Sequence, residues 1–240
     1  MMIAVIGDLH LQLYKGIGKA NHGTSEKFLK LEKALYTLAN RELCHFDVVI
    51  LTGDIYHKRD VIDSKCHEVF NNFIHYIKQL GCQVIAVIGN HDIHTADHYD
   101  TWMRNYPGFD NDWSSSFQCK KLNIGLLHYT ENPTELKAEI DLLLEKEPDL
   151  VVGHLGLQEV AQLEGFDDGH AVSSKLFKKF QCPVVMGHYH NPRSYGNVEY
   201  IGTPYATTFG EGGRERAVAV FKYTSKGLKR CEGIQLRNTP

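Results

Sequence analysis

Seven side chains able to donate lone pairs to divalent cations recur at short, similar positions along the chain: Asp8, His10, Asp54, Asn90, His154, His188 and His190. Five apolar runs end at a glycine followed directly by one of them: Gly7-Asp8, Gly53-Asp54, Gly89-Asn90, Gly153-His154 and Gly187-His188. Carboxylate, imidazole and amide oxygen together suit manganese, iron or zinc rather than an all-oxygen magnesium or calcium cage. Seven donors exceed the needs of one ion that keeps positions open for water and substrate. Two ions about 3.5–4 Å apart, sharing a carboxylate, are therefore the natural count. Asp8-x-His10 and His188-x-His190 are i, i+2 pairs, which just past a strand end turn two donors toward one centre.

Taken singly, each of these residues has an ordinary explanation. A histidine on an apolar background usually hydrogen-bonds within the fold, and Asp8 or Asp54 could cap a helix. That explanation suffices for His45, His67 and His75 on helices, for His22 and His170 in polar loops, and for His128. It does not account for five strand ends at once. Open α/β sheets place their sites in the crevice at the carboxyl ends of strands, and glycine there permits tight turns and close approach.

The elements that must position these donors alternate strand and helix. Apolar or β-branched runs predict strands over 2–6, 47–51, 83–88, 150–153 and 183–187, of the kind buried on both faces. Helical spacing covers 26–43, with Phe28, Leu31, Leu35 and Leu38 in phase, and 64–80, with Val69, Phe73, Ile77 and Leu80. Pro133 opens a helix over 133–147. Shorter helices are expected over 99–105 and 173–180. Hairpins are expected over 117–128 and 195–200, the latter turning at Gly196-Asn197, and two strands over 217–223 and 228–236 close the chain. Residues 92–116 read as an irregular surface excursion carrying both tryptophans, with His94 and His98 outside the chemistry. No repeat or Gly/Ser/Pro linker interrupts 1–240, so a single domain is expected.

Composition sets further bounds. The chain has 240 residues, 42% hydrophobic and 23% charged, which excludes disordered and fibrous classes. Lys plus Arg is 26 and Asp plus Glu is 29, a net charge of −3, which excludes a globally basic coat but not a local basic groove. The six cysteines are scattered without a Cys-x-x-Cys pair and read as reduced, mostly buried thiols. The N-terminus lacks signal-peptide features and no run is long enough to span a bilayer, so a cytoplasmic, membrane-free protein is expected.

Gly7-Asp8-Leu9-His10, Gly53-Asp54, Gly89-Asn90-His91-Asp92, Gly153-His154 and Gly187-His188-Tyr189-His190 resemble the five ordered motifs of the calcineurin-like metallophosphoesterase superfamily. The resemblance implies an α/β fold, a four-layer αββα sandwich with mixed sheets around a dinuclear metal site. It implies that Asp8, His10 and His190 hold one ion, that Asn90, His154 and His188 hold the other, and that Asp54 bridges them. His91 would be the catalytic histidine, with Asp92 orienting it. The implied cofactors are two divalent ions, manganese first, with iron, zinc or magnesium as alternatives.

Within the superfamily, Gly53-Asp54-Ile55-Tyr56-His57 lacks the Asp-Arg of the protein phosphatases and resembles the SbcD-like DNA repair nucleases, where His57 would help position the phosphodiester. The segments 200–204 with 209–211 and 165–176 are similar to that family too. SbcD-like proteins usually continue into a DNA-capping domain and a helical segment for an SbcC-like ATPase partner. This sequence stops at Pro240, just past the phosphoesterase core, so either a minimal stand-alone version or only the catalytic part of something longer is expected, with the partner-binding segment absent from it.

The reading that follows is a metal-dependent phosphodiesterase, a DNA exonuclease or endonuclease. Its alternatives are a phosphodiesterase or phosphatase for small substrates such as cyclic nucleotides, and an inactive scaffold, which the complete donor set disfavours. Lys58, Arg59, Arg193, Arg214 and Arg216 are expected to be simply solvated, with contact to phosphates as the second possibility. Tyr56, Tyr189 and Phe209 are expected in the core or its rim, with base stacking as the second possibility.

Overall fold

The computed structural model describes every residue except 15–19, 22–23, 96–99, 112, 166, 208–214 and 237–240. Its strands are β1 (Met2–Ile6), β2 (Ala20–Asn21), β3 (Thr24–Ser25), β4 (Val48–Leu51), β5 (Gln83–Ala86), β6 (Ser116–Cys119), β7 (Leu122–Leu127), β8 (Leu150–His154), β9 (Val184–Gly187), β10 (Arg193–Tyr195), β11 (Val198–Tyr200), β12 (Val218–Thr224) and β13 (Gly227–Ile234). The α-helices are α1 (Glu26–Thr37), α2 (Ser64–Gln79), α3 (Pro133–Glu145) and α4 (Gln158–Glu164). One sheet runs β13-β12-β1-β4-β5, the other β10-β11-β9-β8-β7-β6, and β2 pairs with β3.

Strand parity builds the layers. Ile3, Val5, Val48, Ile50, Ile85 and Val87 meet Ile124, Leu126, Leu150, Val152 and Val185 between the two sheets. Their neighbours Ala4, Ile6, Val49, Leu51, Val84 and Ala86 point the other way, onto Phe28, Leu31 and Leu35 of α1 and Val69, Phe70 and Phe73 of α2. On the second sheet Val151, Val184 and Met186 pack against Leu136, Ile140 and Leu143 of α3, Val160 of α4 and Phe177. Three apolar layers thus separate helices, sheet, sheet and helices, the expected αββα sandwich with mixed sheets. Strands buried on both faces are the physical source of the unbroken apolar runs.

Side chains in the sequence cap three of the helices: Ser25 accepts from the Phe28 N–H, Asp63 from Lys65, and Asn132 from Thr134 and Glu135. The expected helix 26–43 stops being α-helical at Thr37 and continues as a π turn, Leu38–Glu42, then a 3-10 turn. Thr37 Oγ1 donates to the Lys33 carbonyl and Asn40 Nδ2 to that of Tyr36, competition that loosens the ladder there. α4 carries no local start signal in the sequence, because its N-cap, Leu157, makes no side-chain capping bond. The expected helices 99–105 and 173–180 reduce to 3-10 turns, Trp102–Asn105 and Ser174–Phe177.

Residues 92–116 do more than cross the surface. Asp110 exchanges hydrogen bonds with Val84 and Asn111 with Ala86, its amide standing in for a strand backbone. The segment therefore covers the open edge of β5. His94 is exposed, and His98 lies outside the described residues. The six cysteines are free; Cys66, Cys82 and Cys119 are buried, whereas Cys44 is exposed. Among the described residues no helix is long and apolar enough to cross a membrane.

Candidate metal centre

β1, β4 and β5 lie side by side and parallel in one sheet, β8 and β9 side by side and parallel in the other. Asp8 and His10 follow β1, Asp54 follows β4, Asn90 and His91 follow β5, His154 ends β8, and His188 and His190 follow β9. All seven expected ligands converge where these strand ends meet. His10, Asp54 and His188 adopt positive φ (43°, 50° and 90°), a strained backbone for residues other than glycine. The glycines before the ligands serve close approach. A Cβ on Gly187 would collide with Asp8 Oδ1, and one on Gly89 would collide with Asp54 Oδ1.

Asp54 is 2% exposed and its two carboxylate oxygens look in different directions. Oδ2 is 3.4 Å from His10 Nε2 and 4.0 Å from His91 Nε2. Oδ1 is 3.5 Å from His154 Nε2 and accepts the His91 backbone N–H at 2.7 Å. Burial opposes ionisation of this carboxyl, but His154, His10 and His91 overcome it and hold it down at about 2.

On one side, donor atoms of Asp8, His10 and His190 lie within 4.8 Å of one another. His10 Nε2 and His190 Nε2 are 2.9 Å apart. Burial pushes His10 down to about 4, against the pull of Asp54 and Asp8, so it is a neutral imidazole with a lone pair to give. Asp8 is fixed by Thr52 Oγ1–H on Oδ1 (2.9 Å) and by the His188 N–H on Oδ2 (2.8 Å).

On the other side, Asn90 Oδ1 is 3.0 Å from both His154 Nε2 and His188 Nδ1. His154 Nδ1–H donates to the Thr52 carbonyl at 2.8 Å, which leaves Nε2 as a bare lone pair. His188 Nε2 lies 3.1 Å from Asp168 Oδ2, an acceptor, so that nitrogen carries the proton and Nδ1 is bare. In the neutral rings, two nitrogen lone pairs face the Asn90 amide oxygen, and Asp54 Oδ1 stands 3.5 Å from His154 Nε2. A divalent cation fits that donor set.

The three catalytic expectations fall out differently. His91 sits beside the donors, its ring 4.8 Å from that of His10. His57 is exposed, its ring stacked on His91 at 5.8 Å. The expectation that Asp92 orients His91 is corrected: its carboxylate accepts the backbone N–H groups of Asp54 (2.6 Å), Ile55 (3.0 Å) and Gly89 (2.9 Å). The His57 carbonyl oxygen, 2.7 Å from His91 Nδ1, holds that ring instead.

Arg216 is corrected as well. It is buried, and its guanidinium donates to the carbonyls of His190 (2.6 Å) and Thr203 (3.2 Å) and to Asn191 Oδ1 (3.2 Å). It braces the loop carrying His190 rather than meeting phosphate. Arg193 pairs with Glu164, while Lys58 and Arg59 are exposed next to His57; Arg214 and Phe209 lie outside the described residues. Tyr56 and Tyr189 are core residues, their hydroxyls bonded to His67 and to Leu157 and Asp168. His128, buried, accepts the Ile88 N–H, the structural role expected of it. Thr52 and Asp168 join the site from outside the five strand-end motifs. Thr52 stands one residue before Gly53, but nothing local to Asp168 announces a partner 20 residues downstream.

Several solved structures share this architecture. A dimetal phosphatase from Danio rerio is 12% identical and superposes with a TM-score of 0.57, covering 98% of each chain. A Thermus thermophilus protein is 12% identical, TM-score 0.53, over 96% of this chain and 98% of its own. GAP50, the anchor in the inner membrane complex of Plasmodium, is 12% identical, TM-score 0.57, over 100% of this chain and 86% of its own. In sequence, exonuclease subunit 1 of Enterobacteria phage T4 is 24% identical over 177 residues, 70% of this chain and 51% of that protein. The chain thus spans about half the length of the curated relative it matches. Across residues 1–192, a stretch that contains all five strand-end motifs, the sequence matches the calcineurin-like phosphoesterase family, and the chain belongs to that family of phosphoester hydrolases.

Proposed function

We propose that the protein is a dinuclear metal-dependent phosphodiesterase acting on nucleic acid, a DNA exonuclease or endonuclease. The carrying observation is Asp54, whose carboxylate lies between two groups of donors: His10 is 3.4 Å from Oδ2, and His154, whose Nε2 also meets Asn90 Oδ1 beside His188, is 3.5 Å from Oδ1. Asp8, His10 and His190 would hold one ion, Asn90, His154 and His188 the other, with Asp54 shared. Two divalent ions so held lower the pKa of water toward neutrality and polarise phosphoryl oxygens; manganese is the first choice, with iron, zinc and magnesium to be compared.

The chain's own groups do the rest. His91, its Nδ1 anchored on the His57 carbonyl, presents Nε2 toward the Asp54 carboxylate. From there it protonates the departing oxygen of the ester. The exposed His57 ring, with Lys58 and Arg59 beside it, positions the phosphodiester backbone. A recess of about 390 Å³, whose lining includes Glu164, Asp167, Asp168 and Arg193, adjoins the donors His188 and His190. The likeness to the phage exonuclease subunit supports nucleic acid as the substrate class. Internal use of Arg193 and Arg216 favours a second reading, a small phosphodiester, because it leaves fewer cations for a long polyanion.

The test is turnover by metal-reconstituted protein on labelled single- and double-stranded DNA beside bis-p-nitrophenyl phosphate and cyclic nucleotides. DNA cleavage abolished by chelator supports the nuclease. Cleavage confined to small diesters replaces it by the second reading, and inactivity on all of them with two ions bound rejects both.

A further inference from the structure

The two imidazoles nearest Asn90 approach it through different ring nitrogens, His154 through Nε2 and His188 through Nδ1. A histidine can offer either nitrogen, and the partner of the other one decides which. For His154 that partner is the Thr52 carbonyl, part of the sheet's own backbone end. For His188 it is a side chain, the carboxylate of Asp168, on the loop between α4 and the 3-10 turn Ser174–Phe177.

That loop is tied down. Val172 N–H donates to the Gly156 carbonyl, Gln158 N–H to that of Val172, and Ala171 N–H to that of Asp168. The second Asp168 oxygen, Oδ1, accepts the His170 N–H, and the Tyr189 hydroxyl lies 3.0 Å from Oδ2. The carboxylate is therefore held from several directions and cannot follow the ring if the ring turns. Carboxylate–histidine–metal arrangements of this kind fix tautomer and ring orientation and raise the basicity of the ligating nitrogen.

We infer that Asp168 is a positioning residue of the second ion's site: it holds the His188 proton on Nε2 and so aims Nδ1 at the point shared by Asn90, His154 and Asp54. This inference rests on the dinuclear reading above. Because His188 N–H also donates to Asp8 Oδ2, the first site keeps its geometry without Asp168; only the ring of His188 loses its guide. The consequence is an asymmetry, with loss of Asp168 weakening one ion and sparing the other.

The experiment takes the full chain stripped of metal and titrates manganese by calorimetry into wild type, Asp168→Ala, Asp168→Asn and Tyr189→Phe. Long-range ¹⁵N–¹H spectra of the same metal-free samples read the tautomer of His188. Wild type should bind two ions and show His188 protonated on Nε2. Asp168→Ala should keep one ion at wild-type affinity, weaken the other about 10–100-fold and show mixed tautomers. Asp168→Asn, which retains an accepting oxygen, should recover much of the Nε2–H population, and Tyr189→Phe, which removes one bond to Asp168 Oδ2, should move both readouts in the direction of Asp168→Ala by a smaller amount.

Asp168→Ala protein that binds both ions as wild type does, or weakens both equally, overturns the inference. So does an unchanged tautomer. Should Asp168→Ala fail to fold, Asp168→Asn and the spectra of the wild type decide the matter alone. Wild type that takes up only one ion rejects the dinuclear reading instead, and the spectra still report on Asp168 separately.

Discussion

The backbone carbonyl oxygen of His57 lies 2.7 Å from Nδ1 of His91. The residue proposed to handle the substrate thus aims the proposed acid through its main chain, independently of its own side chain. His57→Ala should therefore leave His91 in place, keep two bound ions and raise KM more than it lowers kcat. His91→Ala should lower kcat about 10²–10⁴-fold, the usual worth of a positioned acid, again with two ions bound. Steady-state kinetics with metal analysis of both variants checks the pair, and loss of an ion from His91→Ala would make it a ligand.

Asp54 turns one carboxylate oxygen toward His10 and the other toward His154. Asp54→Asn should reduce manganese uptake at both sites rather than one, seen as a fall in stoichiometry toward zero in a calorimetric titration. Retention of a single tight ion would confine Asp54 to one side.

Asp92 satisfies three buried backbone N–H groups around the Asp54 and Gly89 turns. Asp92→Ala leaves all three without an acceptor, at roughly 1–3 kcal/mol for each buried donor. The melting temperature should drop by many degrees, and Asp92→Asn, which keeps one accepting oxygen, should fall between it and wild type. A thermal melt that barely moves would deny Asp92 this bracing role.

The two classes of arginine separate by salt. Arg59→Ala should reduce the slope of log K for DNA against log salt by about 1, as loss of one phosphate contact does. Arg216→Met should leave that slope alone and lower stability, since its guanidinium binds carbonyls of His190 and Thr203. Filter binding across a salt series, paired with thermal melts, distinguishes them.

Glu139 on α3 carries a pH dependence. Burial first, then the nearby Glu135, pushes its carboxyl up to about 7 from an ordinary 4.5. Between those values the folded state binds the extra proton. Stability is therefore highest below the lower one and falls as pH rises through the upper. Melts of wild type should drop on the order of 2–4 °C between about pH 5 and pH 8, and Glu139→Gln should flatten that drop. An identical profile in the variant would assign the dependence elsewhere.

Much of this protein is readable from its residues in order. Gly-Asp, Gly-Asn and Gly-His at the ends of five apolar runs announce the donor set, because such runs are strands buried on both faces and glycine admits close approach at their ends. Alternating strand and helix signals likewise carry the layers, since the same parity that fills three cores writes itself along each strand. The caps at Ser25, Asp63 and Asn132 are local and equally legible.

What folding alone decided are the relations between distant side chains. That Asp92 braces a turn 38 residues away, that Arg216 serves the His190 carbonyl 26 residues back, and that Asp168 reaches His188 across 20 could not be read from spacing. A hydrogen bond depends on where a proton and a lone pair end up within about 3 Å. Sequence records which groups own them, but only the packing of two sheets and their loops brings each donor to its acceptor.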